Sequence, residues 1–314
     1  MRSTFFAFLF LAINSVMTAF SAVQADKGTP KPLRVGYSVT LTGVTPEKMK
    51  YAKSVGVDCI ETSFAAFIDK KTLSFKFRAA EMTEKVKQAK KAADDAGIEI
   101  WSVHMPFGEE IDISLADESQ RRKVVELHSR ILEFCRILQP KVILLHPSWY
   151  LRLNERELRK SRMIESAIEL NKKVKDIQAI MVIENMLGPK LQKDSVYERP
   201  LCRSVEETKE IMGRLPDDIY SAIDMNHIKN PQDLIRAMGR RLKSVHIADG
   251  NGEKESHFFP CSGQGENNWT DILSALEEAH YTGPFMYESH FKDVKDMKEC
   301  YDSLYQKFIT AKNR

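Results

Sequence analysis

The chain has 314 residues, 43% of them hydrophobic and 29% charged, with 14 Gly and 12 Pro. This ordinary globular composition excludes a disordered chain, collagen, a coiled coil and a multi-span membrane protein. Lys and Arg number 47 against 44 Asp and Glu, a net charge of +3 that singles out no class of partner.

The first 25 residues carry one charge, Arg2, and the run from Phe5 to Phe20 is apolar apart from Asn14, Ser15 and Thr18. Val23-Gln24-Ala25 then supplies small residues at the −3 and −1 positions of a cleavage site. This reads as a signal peptide over residues 1–25, removed from a periplasmic or secreted product. A retained anchor fits less well, because the apolar run falls short of the ~20 residues a span needs. Without Arg2 the basic count of 47 drops by one against 44 acidic residues, leaving +2. The five cysteines (Cys59, Cys135, Cys202, Cys261 and Cys300) are scattered and form no C-x-x-C pair. Neither a zinc knuckle nor a disulfide framework is indicated. Cys59 and Cys135 sit in apolar stretches, as small buried hydrophobes do, and no disulfide is expected.

A short linker, Asp26–Pro32, leads into a regular alternation over residues 33–314. Apolar runs of strand length occur at Leu33–Val39, Val57–Phe64, Ile98–Met105, Lys141–Pro147, Ala179–Met186, Ile219–Met225, Leu242–Ala248 and Gly283–Glu288. Their consecutive apolar residues suit strands buried on both faces. The segments between them are amphipathic. Val86, Ala89 and Ala93 mark one helical face, with Gly97 as the stop. Val124, Leu127, Ile131, Phe134 and Leu138 mark another. Ser204 followed by Glu207 resembles a capping box opening a helix over Val205–Arg214. Eight strands alternating with eight helices predict a single α/β domain, a closed (β/α)₈ TIM barrel of about 250 residues. The rival, a doubly wound open sheet, lacks its Gly-rich phosphate turn after the first strand. Long connections at Leu187–Arg203 and Asp249–Asn268 are expected to carry function. Arg152–Arg162, with four Arg, one Lys and two Glu, reads as a solvated loop and helix start.

Polar residues gather where these strands end, the usual catalytic rim of such a barrel. They are Glu61, His104, His146, Glu184, Asp224 with His227, His246 with Asp249, and Glu288 with His290; His257 follows in the seventh connection. Of eight histidines only His128 and His280 fall on predicted helices. So many imidazoles and carboxylates on one rim would repel or stay unsatisfied without a cation or a polar ligand. The nitrogen donors favour Zn²⁺ or Mn²⁺ over Ca²⁺. Phe107, Trp149, Tyr150, Phe258 and Trp269 could wall a sugar face or pack beneath the loops.

In this order on consecutive strands, His104, His146, Glu184, Asp224-x-x-His227, His246 and Glu288 resemble the xylose isomerase-like barrel superfamily. So does His257 ahead of Ser262-Gly263-Gln264-Gly265. That group holds sugar isomerases, epimerases, inosose dehydratases and class II apurinic endonucleases. The sugar branch implies one divalent cation (Mn, Zn, Co or Mg) on Glu184, Asp224, His246 and Glu288. Glu184 and Glu288 would move a proton next to a carbonyl through an enediolate. His104, His146, His227, His257 and Trp149 would then bind a small sugar or sugar derivative, in a monomer or homo-oligomer free of the membrane after signal cleavage. The isomerases proper carry Lys two residues after the strand-five Glu, where this chain has Met186. Epimerisation, enediolate isomerisation and dehydration therefore stay open. The nuclease branch implies three zincs, with His104, His146, His227, Glu255 and His257 as further ligands. Export and a charge of +2 do not suit a duplex-binding surface, so no nucleic-acid partner is expected. A non-catalytic sugar-binding barrel is the third reading, although none of the four ligands is missing.

Overall fold

The computed structural model describes residues 29–187 and 197–314. The signal-peptide reading over residues 1–25, and most of the predicted connection Leu187–Arg203, lie outside the described residues. The unit Lys31–Arg314 alternates strand and helix throughout. In chain order these are β1 (Val35–Thr40), α1 (Pro46–Ser54), β2 (Cys59–Ser63), α2 (Ala79–Ala96), β3 (Glu99–His104), α3 (Glu118–Leu138), β4 (Val142–Leu145) and α4 (Arg156–Asp176). The second half runs β5 (Ile180–Glu184), α5 (Val205–Arg214), β6 (Ile219–Asp224), α6 (Pro231–Met238), β7 (Leu242–Ile247), α7 (Trp269–Glu278), β8 (Phe285–Tyr287) and α8 (Lys295–Lys312). The eight strands are parallel and close on themselves, β1 pairing both β2 and β8. The open-sheet alternative is therefore excluded.

Alternation along each strand sorts the side chains into two buried layers. Ile143, Leu145, Met181, Ile183, Ile223, Val245 and Ile247 join the helices in the main core. Val142, Leu144, Val182 and Ala222 form a smaller, separate cluster inside the barrel. Glu184 and Asp224 follow Val182 and Ala222 by two residues and share their face, so they stand directly above this floor. Register completes the ring, pairing Ala222 with Glu184, Asp224 with His246, and His246 with Met286.

Local chemistry fixes the helix ends. The Gly97 backbone takes φ 69°, a left-handed stop that costs glycine least. Ser204 Oγ accepts the Glu207 N–H at 3.2 Å, while the Glu207 carboxylate accepts from Arg203 N rather than from its own cap. A two-stranded ribbon joins Leu151–Arg152 to Tyr197–Glu198, tying the segment after β4 to that after β5.

Two expectations are corrected here. Cys261 and Cys300 form a disulfide with their Cα atoms 5.8 Å apart. Neither lies in a patterned motif, and only the return of the β7–α7 loop onto α8 brings them together. Cys59, Cys135 and Cys202 are free and buried. The basic stretch Arg152–Arg162 is not a solvated surface throughout. Arg159 and Lys160 are buried, Arg159 against Asp112 at 2.5 Å and Lys160 against Glu210 at 2.8 Å.

Candidate metal centre and active site

Three carboxylates and one imidazole converge above the barrel floor. His246 Nδ1 lies 2.7 Å from Glu184 Oε1, 2.6 Å from Glu288 Oε2 and 4.0 Å from Asp224 Oδ2. Ligand atoms of all four residues fit within 4.8 Å of one another. Glu184 arrives from β5 and Glu288 from beyond β8, so the two glutamates flank His246 on β7. A single N–H cannot satisfy two carboxylates at such distances, and the third carboxylate adds repulsion in a dry setting. Among the described residues no hydrogen-bond donor reaches the buried Asp224 Oδ2, although Asp224 Oδ1 accepts the Asn226 N–H at 2.6 Å. Asn185 fixes the Asp224 backbone, its Oδ1 accepting the Asp224 N–H at 2.8 Å.

His104 and His146 crowd the other oxygen of Glu184. His146 Nε2 is 3.1 Å and His104 Nε2 3.7 Å from Glu184 Oε2, an atom that has no aligned hydrogen bond. His104 donates Nδ1–H to its neighbour Met105 O and stacks on the His246 ring with centroids 5.6 Å apart.

A third group is assembled from the loops. His227 Nε2 and His257 Nε2 lie 3.1 and 3.0 Å from the same oxygen of Glu255. Their Nδ1–H groups donate to the carbonyls of Asn185 and Glu288, at 3.0 and 2.7 Å. Asp224, His227 and His257 also offer a ligand set within 4.8 Å. The β7–α7 loop is held for this purpose. Asn226 Oδ1 accepts from the backbones of Ser256 and His257, and Asp249 pairs with Phe258 as an isolated bridge. At Gly252 the loop runs against the β6–α6 turn at φ 75°, where a Cβ would lie 2.3 Å from Lys229 N.

A cavity of about 220 Å³ opens over this array. His146, His227, Glu255, His257 and Glu288 line it beside Phe107, Trp149 and Tyr150. Trp149 and Phe107 are stacked, with ring centroids 6.2 Å apart. Of the five aromatics that could wall a sugar face or pack beneath the loops, Trp269 is a core residue. Its ring packs on Phe285 and its Nε1–H donates to Asp249 Oδ2 at 2.8 Å. Phe258 is likewise absent from the lining. His290 lies exposed beyond the rim, and His128 is buried on α3.

The electrostatics of the centre follow from its crowding. Burial works to raise the Glu184 carboxyl, yet His246 and His146 hold it well below the usual carboxylate range. Burial likewise opposes the Glu288 anion, but His246 brings it down to about 2. Burial raises Asp224. Against burial, Glu288, Glu61 and Glu184 lift His246 well above 6.5. An array of three carboxylates and one imidazole, with an orphaned Asp224 oxygen, fits a divalent cation that accepts both oxygen and nitrogen.

Sequence reasoning placed Glu61 at a strand end but gave it no role. The structure sets its Oε1 3.0 Å from His246 Nε2, with both side chains fully buried. The pairing crosses from β2 to β7, strands that are not neighbours, so no local pattern could announce it.

These features define a (β/α)₈ barrel with a mixed His/carboxylate centre at the C-terminal mouth, the class in which catalytic groups come from several strand ends. A family model described as xylose isomerase-like TIM barrel matches residues 49–305, and the chain belongs to that family. It is 25% identical over 209 residues to an uncharacterised protein of Methanocaldococcus jannaschii, covering 65% of this chain and 76% of that one. Its fold is similar to that of a D-tagatose 3-epimerase-like protein (TM-score 0.69, 21% identity, 88% of this chain and 99% of the other). It is similar also to an L-ribulose 3-epimerase (0.66, 16%, 90% and 97%). A third similar structure is the Methylomonas sp. D-allulose 3-epimerase in complex with D-allulose (0.65, 15%, 88% and 98%).

Proposed function

We propose that the protein is an exported, metal-dependent isomerase or epimerase of a sugar or sugar derivative, with Glu184 and Glu288 moving a proton on a carbon next to a carbonyl. The carrying observation is the convergence of both glutamates on His246 Nδ1 from the ends of β5 and β8, 2.7 and 2.6 Å away. Glu184, Asp224, His246 and Glu288 would hold one divalent ion, which supplies Lewis acidity toward the substrate carbonyl and its neighbouring oxygen. The transfer needs the two glutamates in complementary states, one an anion that takes the proton and the other carrying a proton that it delivers to the opposite face. Phe107 and Trp149 offer an apolar wall to a sugar ring or chain. His146, His227 and His257 offer polar atoms to its hydroxyls. A cavity of about 220 Å³ suits a small molecule. Of the three similar solved structures, two are named sugar 3-epimerases and one an epimerase-like protein, which supports the same substrate class. Export is supported by the Cys261–Cys300 disulfide, since such bonds persist in oxidising compartments.

A second reading has its own observation. His104 and His146 face Glu184 Oε2, while His227 and His257 share Glu255. That leaves two further groups able to hold ions, the arrangement of a trinuclear zinc phosphodiesterase. Metal analysis of the purified protein decides between the readings when joined to proton exchange. About one ion per chain, with deuterium entering the carbon beside the carbonyl of a ketose in D₂O, supports the sugar enzyme. About three zincs, with cleavage of an abasic-site oligonucleotide and no exchange, overturns it. His104→Ala is the internal control, because the sugar reading gives that residue no ion.

A further inference from the structure

His246 differs from the other histidines of the centre in which nitrogen faces inward. His104, His227 and His257 each spend Nδ1–H on a backbone carbonyl and turn Nε2 toward a carboxylate. His246 instead directs Nδ1 at Glu184 and Glu288, and Nε2 at Glu61. For Nδ1 to act as a lone-pair donor, the proton of the neutral ring must reside on Nε2. Glu61 Oε1 is the carboxylate oxygen in range, at 3.0 Å.

Glu61 is itself costly. It is a fully buried carboxylate, and its ion-pair partner among the described residues is His246. Ser102 Oγ on β3 donates to its Oε2 at 2.7 Å, which fixes the carboxylate plane. Its Oε1 and His246 Nε2 approach closely but are not aligned as a hydrogen bond, and among the described residues both are otherwise without a partner. An isolated buried carboxylate would be strongly disfavoured. A ring whose other nitrogen is drawn onto a cation turns Nε2–H into a better donor and compensates Glu61.

We propose that Glu61 is a positioning residue for the metal centre, its Oε1 accepting the Nε2–H of His246 so that the Nδ1 lone pair is presented beside Glu184, Asp224 and Glu288. The chain Ser102–Glu61–His246 then crosses the barrel interior from β3 and β2 to β7. It sets the tautomer and the tilt of the one nitrogen ligand without touching the substrate. This rests on the reading in which those four residues hold an ion.

The test measures ion affinity, not turnover. Co²⁺ is titrated into chelator-stripped protein against a competing chelator, and its visible spectrum is recorded for wild type, Glu61→Gln and Glu61→Met. Glu61→Gln keeps an acceptor but loses the charge, while Glu61→Met loses both. Outer-shell partners of this kind are worth 10–100-fold in metal affinity. The expected losses are therefore about 10-fold for Gln and about 100-fold for Met, with a shifted Co²⁺ spectrum in each. Wild-type affinity and spectrum in both variants overturn the inference while leaving the ion site standing. A wild-type protein that takes up no ion removes the functional reading and this one together. If a variant does not fold, imidazole ¹⁵N NMR of wild-type protein loaded with Zn²⁺ decides. Nε2 protonated and Nδ1 metal-bound on His246 supports Glu61 as acceptor, and the reverse assignment overturns it.

Discussion

Cys261 and Cys300, 39 residues apart, are bonded to each other, and the bond ties the loop that carries Glu255 and His257 to helix α8. Closing a loop of that length removes denatured-state freedom worth about 4 kcal/mol on the chain-entropy account. Cys261→Ser with Cys300→Ser is therefore expected to lower the unfolding free energy by about 2–5 kcal/mol in a urea titration. The loss should be similar when wild type is unfolded in the presence of a reductant. A double variant as stable as the oxidised protein would show that the bond adds no constraint.

Asp224 separates stability from ion binding. One of its oxygens accepts the Asn226 N–H, and among the described residues no donor reaches the other, which is buried. Asp224→Asn can keep the first contact through its amide oxygen while removing a charge that burial already disfavours. Ion affinity should fall at least as far as the 10–100-fold loss typical of outer-shell changes. The stripped variant should be no less stable than stripped wild type, a site whose strain serves function. Isothermal titration and thermal melts on the same samples read both quantities. A variant that binds the ion as tightly as wild type removes Asp224 from the ligand set.

The pH response of the stripped protein has a definite sign. Burial alone would lower His257, but Glu255, Asp224 and Glu288 hold it up at about 9 against an ordinary 6.5. A raised folded value means that the native state binds the extra proton. The stabilisation is fully present below pH 6.5 and is lost as pH rises through about 9. Its size is on the order of 3 kcal/mol. Wild type should thus lose stability between those limits relative to His257→Gln, read from paired urea titrations. A difference that stays flat across the window would rule out the charged His257–Glu255 pair.

What the sequence disclosed and what it hid have separate physical causes. The strands were readable because both faces are buried, which leaves consecutive apolar residues such as those of β4 and β5. Helix α5 begins and ends where Ser204 and Arg214 suggested, because capping is local chemistry. Glu184, Asp224, His246 and Glu288 could be placed on one rim because barrel geometry sends strand ends there, while their grouping as one ligand set came from the resemblance to the xylose isomerase-like superfamily. Glu61 could be placed there but not given a partner, since His246 is five strands away around the wall by one route and three by the other. The disulfide was hidden for a related reason, its two ends meeting only through the tertiary return of a loop. Arg159 and Lys160 looked like solvated charge, but their partners Asp112 and Glu210 lie 47 and 50 residues away. Trp269, open in the sequence between a sugar wall and packing beneath the loops, lies in the core, where Asp249 accepts from its indole N–H.

Asp112 connects the buried charge network to the cavity wall. Its Oδ2 accepts both the Arg159 Nη2–H at 2.5 Å and the Trp149 backbone N–H at 2.7 Å, while its Oδ1 accepts from Ser114. Arg159 is buried among Asp112, Ser114 and Glu155. Arg159→Met would leave the Asp112 charge without its counter-ion, a change that typically costs about 3–5 kcal/mol. By contrast, Lys91→Ala breaks an exposed pair with Asp95 and should cost less than about 1 kcal/mol. The functional consequence follows from the shared oxygen. An Asp112 that shifts to recover hydration releases the Trp149 backbone, loosening the wall against which a substrate would rest. In steady-state kinetics with a substrate identified by proton exchange, Arg159→Met should raise KM several-fold and change kcat little, since it touches neither Glu184 nor Glu288. A fall in kcat with KM unchanged would place the network's effect at the proton-transfer groups instead of the binding wall.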